Sequence, residues 1–341
     1  MKNPILVEVT RGPLVESVHR GAVAVAGADG SLLFAVGDLE TPVYPRSSLK
    51  PIQALPLVES GAADAFGLTD AEIALACASH SGEPMHTGRV AAWLKKIGCS
   101  ESDLACGPHA VRYEPVWTDM VRQGQRPTRI HNNCSGKHTG FLTVARHWGI
   151  ATAGYEHPSH PLQQAVVKAL AELANIPVEI PWGVDGCTAP NFALPISAFA
   201  RALASLADPS QLPRGRAQAA RRILRAMTAH PELVAGTGRS DTILMRAGRG
   251  RFATKAGAEA YYAAIIPEMG IGIALKIDDG AGRAAETAIA ALLENLGLLG
   301  EDPDAHKLVR APVLNTRNDV VGERRPARAL NDSGIKTLKA H

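Results

Sequence analysis

The chain has 341 residues, of which 46% are apolar, 20% charged and only 4% aromatic, with a formal net charge of +3. This is the composition of a soluble globular protein whose aliphatic side chains must fill the core, and it excludes low-complexity sequence. Arg214, Arg216, Arg221, Arg222 and Arg225 cluster on one predicted helix, but no DNA- or RNA-binding motif accompanies them, so they read as a solvated face and no nucleic-acid partner is expected.

The first apolar run, Ile5 to Val7, is too short for a signal-peptide core, and no stretch reaches the length of a membrane span. A cytoplasmic protein with no membrane partner is therefore expected. Residues 4–36 read as strands: Ala22, Ala24 and Ala26 alternate with Val23 and Val25, and Gly27-Ala28-Asp29-Gly30 turns into a second extended run. From about 46 to 230 the apolar spacing is mostly helical, interrupted by Gly/Pro-rich loops at 81–88, 132–140 and 181–195. Strands are predicted again at 241–246, 251–255, 260–266 and 271–277, followed by a helix from about 282 to 298 and a polar, irregular tail from 312. Strands, helices, strands and a last helix predict an α+β protein. One sheet is made from both chain ends, with a helical region inserted between them. A single domain over 1–325 and a tail over 326–341 follow.

Chemistry is suggested first by Ser47-Ser48-Leu49-Lys50. A Ser and a Lys three apart share one face of a helix. At a helix start, free N–H groups favour developing negative charge, and a neutral lysine could take the serine proton. The motif is common by chance, and Ser333-Gly334-Ile335-Lys336 repeats it in the tail. Pro45 before the first copy and the apolar run after it distinguish that copy. Ser79, in Ala78-Ser79-His80-Ser81-Gly82, and Lys255, in Thr254-Lys255-Ala256-Gly257, complete a chain order found in penicillin-recognising serine hydrolases.

Two polar loops, His131 to Gly140 and Gly183 to Pro190, carry Cys134 and Cys187. Five cysteines, an odd number, in a reducing compartment point to metal binding or chemistry rather than disulfides. By donor chemistry, Cys134, Cys187 and one of His131 or His138 form a candidate zinc site, the plain alternative being two buried free thiols.

The strings SSLKPIQALPLVESGAAD, ACASHSGEPMHT, HNNCSGKHTGF, WGVDGCTAPNFALP and TKAGAEAYY together resemble the rhizobial-type L-asparaginase II family, or class 3 asparaginases, from about residue 5 to 325. The resemblance implies a serine β-lactamase-like fold shared with glutaminases, L-asparagine as substrate and a homodimer. It implies two Ser–Lys pairs, Ser47 with Lys50 and Ser79 with Lys255. It also implies a Zn²⁺ held by Cys134, Lys137 and Cys187, whose expected role is to fix the two loops and orient the substrate's charged end rather than to act as the Lewis acid. Arg46, His80, Asn133 and Asp185 are the expected substrate contacts. A glutaminase, another β-lactamase-like amidohydrolase, or a zinc-stabilised binding protein without catalysis are the competing readings.

Overall fold

The computed structural model describes residues 3–331 and 334–338. Its main sheet has eight strands: β1 (Ile5–Arg11), β2 (Leu14–Gly27), β3 (Leu32–Val36), then β6 (Ala253–Ala256), β7 (Tyr261–Ile266), β8 (Ile271–Ile277), β9 (Ala311–Leu314) and β10 (Val320–Pro326). The remaining two, β4 (Trp182–Val184) and β5 (Pro190–Phe192), form a separate hairpin inside the helical region. The main sheet runs β6-β7-β8-β2-β1-β10-β9, with β3 also paired to β2. The α+β arrangement expected from the element order is the one observed.

The Ala/Val alternation of β2 explains the layering. Ala22, Ala24 and Ala26 join one apolar cluster, which holds Phe199, Leu203 and the helical region. Val23 and Val25 join the opposite one, with Ala284, Ile289 and Leu292 of the Gly282–Asn295 helix. Successive side chains of a strand point to opposite faces, so both faces of the sheet are buried where residues 21–27 of β2 cross its centre. The small alanines let the Ile196–Ala207 helix lie close to the sheet.

Two sequence expectations are corrected. Residues 241–246 are not a strand but the first part of a helix, Ser240–Gly248. Thr242 and Ile243 favour strands locally, yet Leu244 and Ala247 pack at helical spacing into the second cluster, and tertiary packing overrides propensity. Nor is the chain after 312 irregular: β10 pairs with β1, Glu8 opposite Arg325, and β9 closes that edge. Arg325 bridges Glu8 at 3.2 Å and Glu323 at 3.0 Å. Backbone ladder bonds and the cross-strand Arg325–Glu8 pair, rather than an apolar pattern, define these strands. The second Ser-x-x-Lys lies outside the described residues, since Ser333 is among those not described.

The arginine cluster is in part the expected solvated face, with Arg214, Arg221 and Arg225 exposed, but three of its members also make ion pairs. Arg216 bonds Glu59 and Glu172, Arg222 bonds Asp64, and Arg225 bonds Asp70. These pairs fasten the Arg214–Ala229 helix to its neighbours. Among the described residues no helix is long and apolar enough to cross a membrane.

Candidate active site

Ser47 lies on a 3-10 turn, Arg46–Leu49, that leads directly into a short helix beginning at Lys50. The Lys50 N–H donates to the Ser47 carbonyl. In such a turn side chains three apart eclipse one another, which puts Ser47 and Lys50 on one side. Arg46 enters the turn with φ +52°, a conformation rare for a non-glycine residue and typical of functional sites. Among the described residues no backbone carbonyl takes the Ser47 N–H, so it is free to meet a developing oxyanion.

Lys50 is 1% exposed. Its Nζ donates to the Ala78 carbonyl at 2.5 Å and to Ser79 Oγ at 2.9 Å. The hydrogen bond is thus Lys50–Ser79, crossing between the two expected pairs. Among the described residues none joins Ser47 to Lys50 or Ser79 to Lys255. Ser79 is itself fixed by its N–H to the Val234 carbonyl at 2.9 Å.

Lys255 comes from β6, whose end abuts the Ser47 turn: Ser48 Oγ donates to the Lys255 carbonyl at 2.8 Å. A Cβ on Gly257 would stand 2.5 Å from the Pro45 carbonyl oxygen, so glycine is required for this approach. Lys255 Nζ donates to the Ala256 carbonyl at 2.7 Å and lies 3.7 Å from Asp241 Oδ2, both side chains 1% exposed. Burial drives the Lys255 amine down to about 7; Asp241 opposes this, while the charges of Lys50 and Arg239 add to it. A large fraction of Lys255 is therefore neutral at neutral pH.

Asp241 was not found from the sequence. Its carboxylate accepts from Thr254 Oγ1 at 3.0 Å and from the Ala256 N–H at 3.1 Å, so one buried acid orders the strand end that carries Lys255. The preceding segment wraps the Ser79 loop. Ser81 Oγ donates to Ala235 O, and the Thr237 N–H and hydroxyl donate to the Glu83 carboxylate at 2.8 and 2.7 Å. Gly236-Thr237-Gly238 followed by Ser240-Asp241 is a loop-then-helix-start pattern. That signal was present in the sequence but was read as the approach to a strand.

Cys134, Lys137 and Cys187 meet beside this centre. Cys134 caps the Ser135–Trp148 helix, Lys137 is in its first turn, and Cys187 lies in the turn after β4. Lys137 Nζ donates to Cys187 Sγ at 3.0 Å. The Cys134 hydrogen bond, opposed by burial and aided by Lys137, holds the Cys187 thiol well below its usual range. That same bond, with burial, pushes Cys134 up to about 12. Two sulfurs and one nitrogen converge here from two loops; against burial, the two cysteines hold the Lys137 ammonium above its usual range, so its nitrogen would join the sulfurs on Zn²⁺ only on losing its proton. Neither His131 nor His138 completes the cysteine pair: among the described residues no three His, Cys, Asp or Glu side chains come together to hold a metal.

The expected substrate contacts divide. Arg46 Nη2 bridges Asp185 Oδ1 at 2.9 Å, partly buried, so these two neutralise each other. Asp185 is held below the usual carboxylate range: burial opposes this, but Arg46 and Lys137 outweigh it. Asn133 is half-buried, and its side chain makes no hydrogen bond among the described residues. His80 is 1% exposed; its Nδ1 accepts from the Gly82 N–H, and its Nε2 reaches Ser135 Oγ at 2.9 Å. Both ring nitrogens are used inside the protein, which makes His80 a brace between loops.

A family model described as L-asparaginase II matches residues 7–326. Comparison with curated proteins finds no match. Among solved structures, the chain is similar to a β-lactamase from Mycobacterium bovis, with 15% identity, a TM-score of 0.44, and 80% of this chain and 94% of that chain covered. It is similar to Mglu at 16% identity and a TM-score of 0.47, covering 88% and 73%. Simvastatin synthase from Aspergillus terreus matches at 11% identity and a TM-score of 0.38, covering 75% and 87%.

Proposed function

Because the chain belongs to the L-asparaginase II family of amidohydrolases, we propose that it hydrolyses L-asparagine to L-aspartate and ammonia through an acyl-enzyme on Ser47. The observation that carries this reading is the buried chain Lys50–Ser79 at 2.9 Å, next to a Lys255 amine brought down to about 7.

In this mechanism Lys50 passes a proton to Ser79 Oγ while the Ser79 hydroxyl proton goes to the neutral Lys255 amine. Lys50, now neutral and one turn from Ser47, takes the Ser47 proton as Oγ attacks the amide carbonyl. The Ser47 N–H meets the oxyanion. The C–N bond breaks, and Lys255 returns its proton to the departing nitrogen, giving ammonia and a β-aspartyl ester on Ser47. Lys50 then passes its proton through Ser79 to Lys255 once more; water attacks the ester as the neutral Lys50 takes its proton and hands it to the departing Ser47 oxygen, aspartate leaves, and Lys255 returns the relayed proton to Lys50. General-base help of this kind contributes about 10²–10⁴-fold.

Cys134, Lys137 and Cys187 are the residues that would hold Zn²⁺. When bound, it supplies a dication that ties two loops together beside the substrate's charged end. Asp185, two residues from Cys187, is suited to receive an α-ammonium, and Asn133 offers a free amide to the same cleft.

Ammonia release from L-asparagine and L-glutamine, measured side by side, tests the reading. Release from asparagine that falls at least roughly 10²-fold in Ser47→Ala and in Lys50→Met supports it. Faster release from glutamine would make the protein a glutaminase, and wild-type rates in Ser47→Ala would remove the nucleophile.

A further inference from the structure

Resting on the asparaginase reading, we propose that Arg239, with Arg112 beside it, is the subsite that receives the substrate's α-carboxylate. Arg239 stands immediately before the Ser240–Gly248 helix. It lies between Thr237, which holds Glu83, and Asp241, which holds the strand end bearing Lys255. The whole stretch from Val234 to Asp241 is stitched to the candidate catalytic residues: Val234 to Ser79, Ala235 to Ser81, Asp241 to Lys255. Arg112 approaches the same loop from its other side, its N–H donating to the Ser81 carbonyl at 3.0 Å.

Neither guanidinium has an ion pair or a side-chain hydrogen bond among the described residues, and Arg239 Nη1 is buried with no partner at all. Burial, then the nearby charge of Arg239, hold the Arg112 guanidinium below its usual range, while the more distant Cys134 acts the other way. Arg239, half-buried, and Arg112, exposed, thus lie near each other beside the Ser79 loop, and neither has an ion pair among the described residues. Planar guanidinium forks match a carboxylate in two-point geometry. Arg46, the other candidate, also keeps a buried Nε without a partner, but its Nη2 is already committed to Asp185. The Arg46–Asp185 pair is then left to meet the ammonium, and Arg239 the carboxylate.

The test compares binding of L-aspartate with that of β-alanine, the same molecule without its α-carboxylate, by calorimetry on the full-length protein. Wild type should prefer L-aspartate by roughly ten- to a hundredfold. Arg239→Gln should abolish that preference while leaving β-alanine unchanged, Arg239→Lys should keep part of it, and Arg112→Gln should weaken aspartate alone, severalfold. A preference that survives Arg239→Gln overturns the assignment. So does an equal loss of both ligands in Arg239→Gln with thermal unfolding unchanged, or a preference erased by Arg46→Gln instead. If Arg239→Gln does not fold, the Arg239→Lys and Arg112→Gln comparisons decide: full wild-type preference in both overturns it. Ammonia release by the wild type is read separately, and its absence would count against the asparaginase reading while the binding comparison still decides the subsite.

Discussion

Two lysines buried in one site cannot both stay fully charged without anions to match them. Lys50 and Lys255 are each 1% exposed, and Asp241 is the carboxylate within reach of Lys255. Burial wins, and Lys255 falls to about 7. A lysine that must be neutral to accept a proton gains activity as pH rises through its pKa. The pH–rate profile should therefore climb through an apparent pKa near 7 and level off above it. Asp241 favours the ammonium, so Asp241→Asn should lower this pKa and move the climb to lower pH, by about one unit or more. A shift to higher pH, or none, in initial-rate profiles of that variant would mean that another group titrates.

At the scale of elements, the site is made where three ends meet: the Ser47 turn, the Ser79 loop and the end of β6. Their spacing is set by contacts too close for any side chain. Gly257→Ala would drive a methyl into the Pro45 carbonyl oxygen. The β6 end or the turn must then move, at a cost of roughly 1–3 kcal/mol, read as a lower midpoint in denaturant and reduced turnover; an unchanged midpoint would show the approach to be loose. The two cysteine loops are the other junction. Metal analysis of purified protein should find about one zinc per chain, lost in Cys187→Ser, because a site of this kind needs all its protein ligands. Zinc retained by that variant would put the metal elsewhere.

For the molecule as a whole, most of the architecture was legible because it follows period and order. The Ala/Val alternation of β2 announced a strand, and strands at both chain ends announced one sheet made by distant segments. What escaped notice was held by contacts that leave no pattern in one dimension. β9 and β10 are defined by ladder bonds and the Arg325–Glu8 pair. The Ser240–Gly248 helix depends on Leu244 and Ala247 finding a core made by other elements. The same holds for the site. Ser47, Lys50, Ser79 and Lys255 stand in recognisable strings, whereas Asp241 and Arg239 matter only through where folding puts them, 14 and 16 positions before Lys255. The Lys50–Ser79 bond, joining residues 29 apart, is likewise invisible to spacing.

The central claim is a covalent intermediate on one serine out of three that crowd this centre. Rapid quenching of wild-type protein during L-asparagine turnover, followed by digestion and fragment mass spectrometry, tests it directly. A β-aspartyl adduct localised to Ser47, absent in Ser47→Ala and still formed on Ser47 in Ser79→Ala, is the predicted result. An adduct on Ser48 or Ser79 in the wild type, or turnover with unchanged rate in Ser47→Ala, would contradict it.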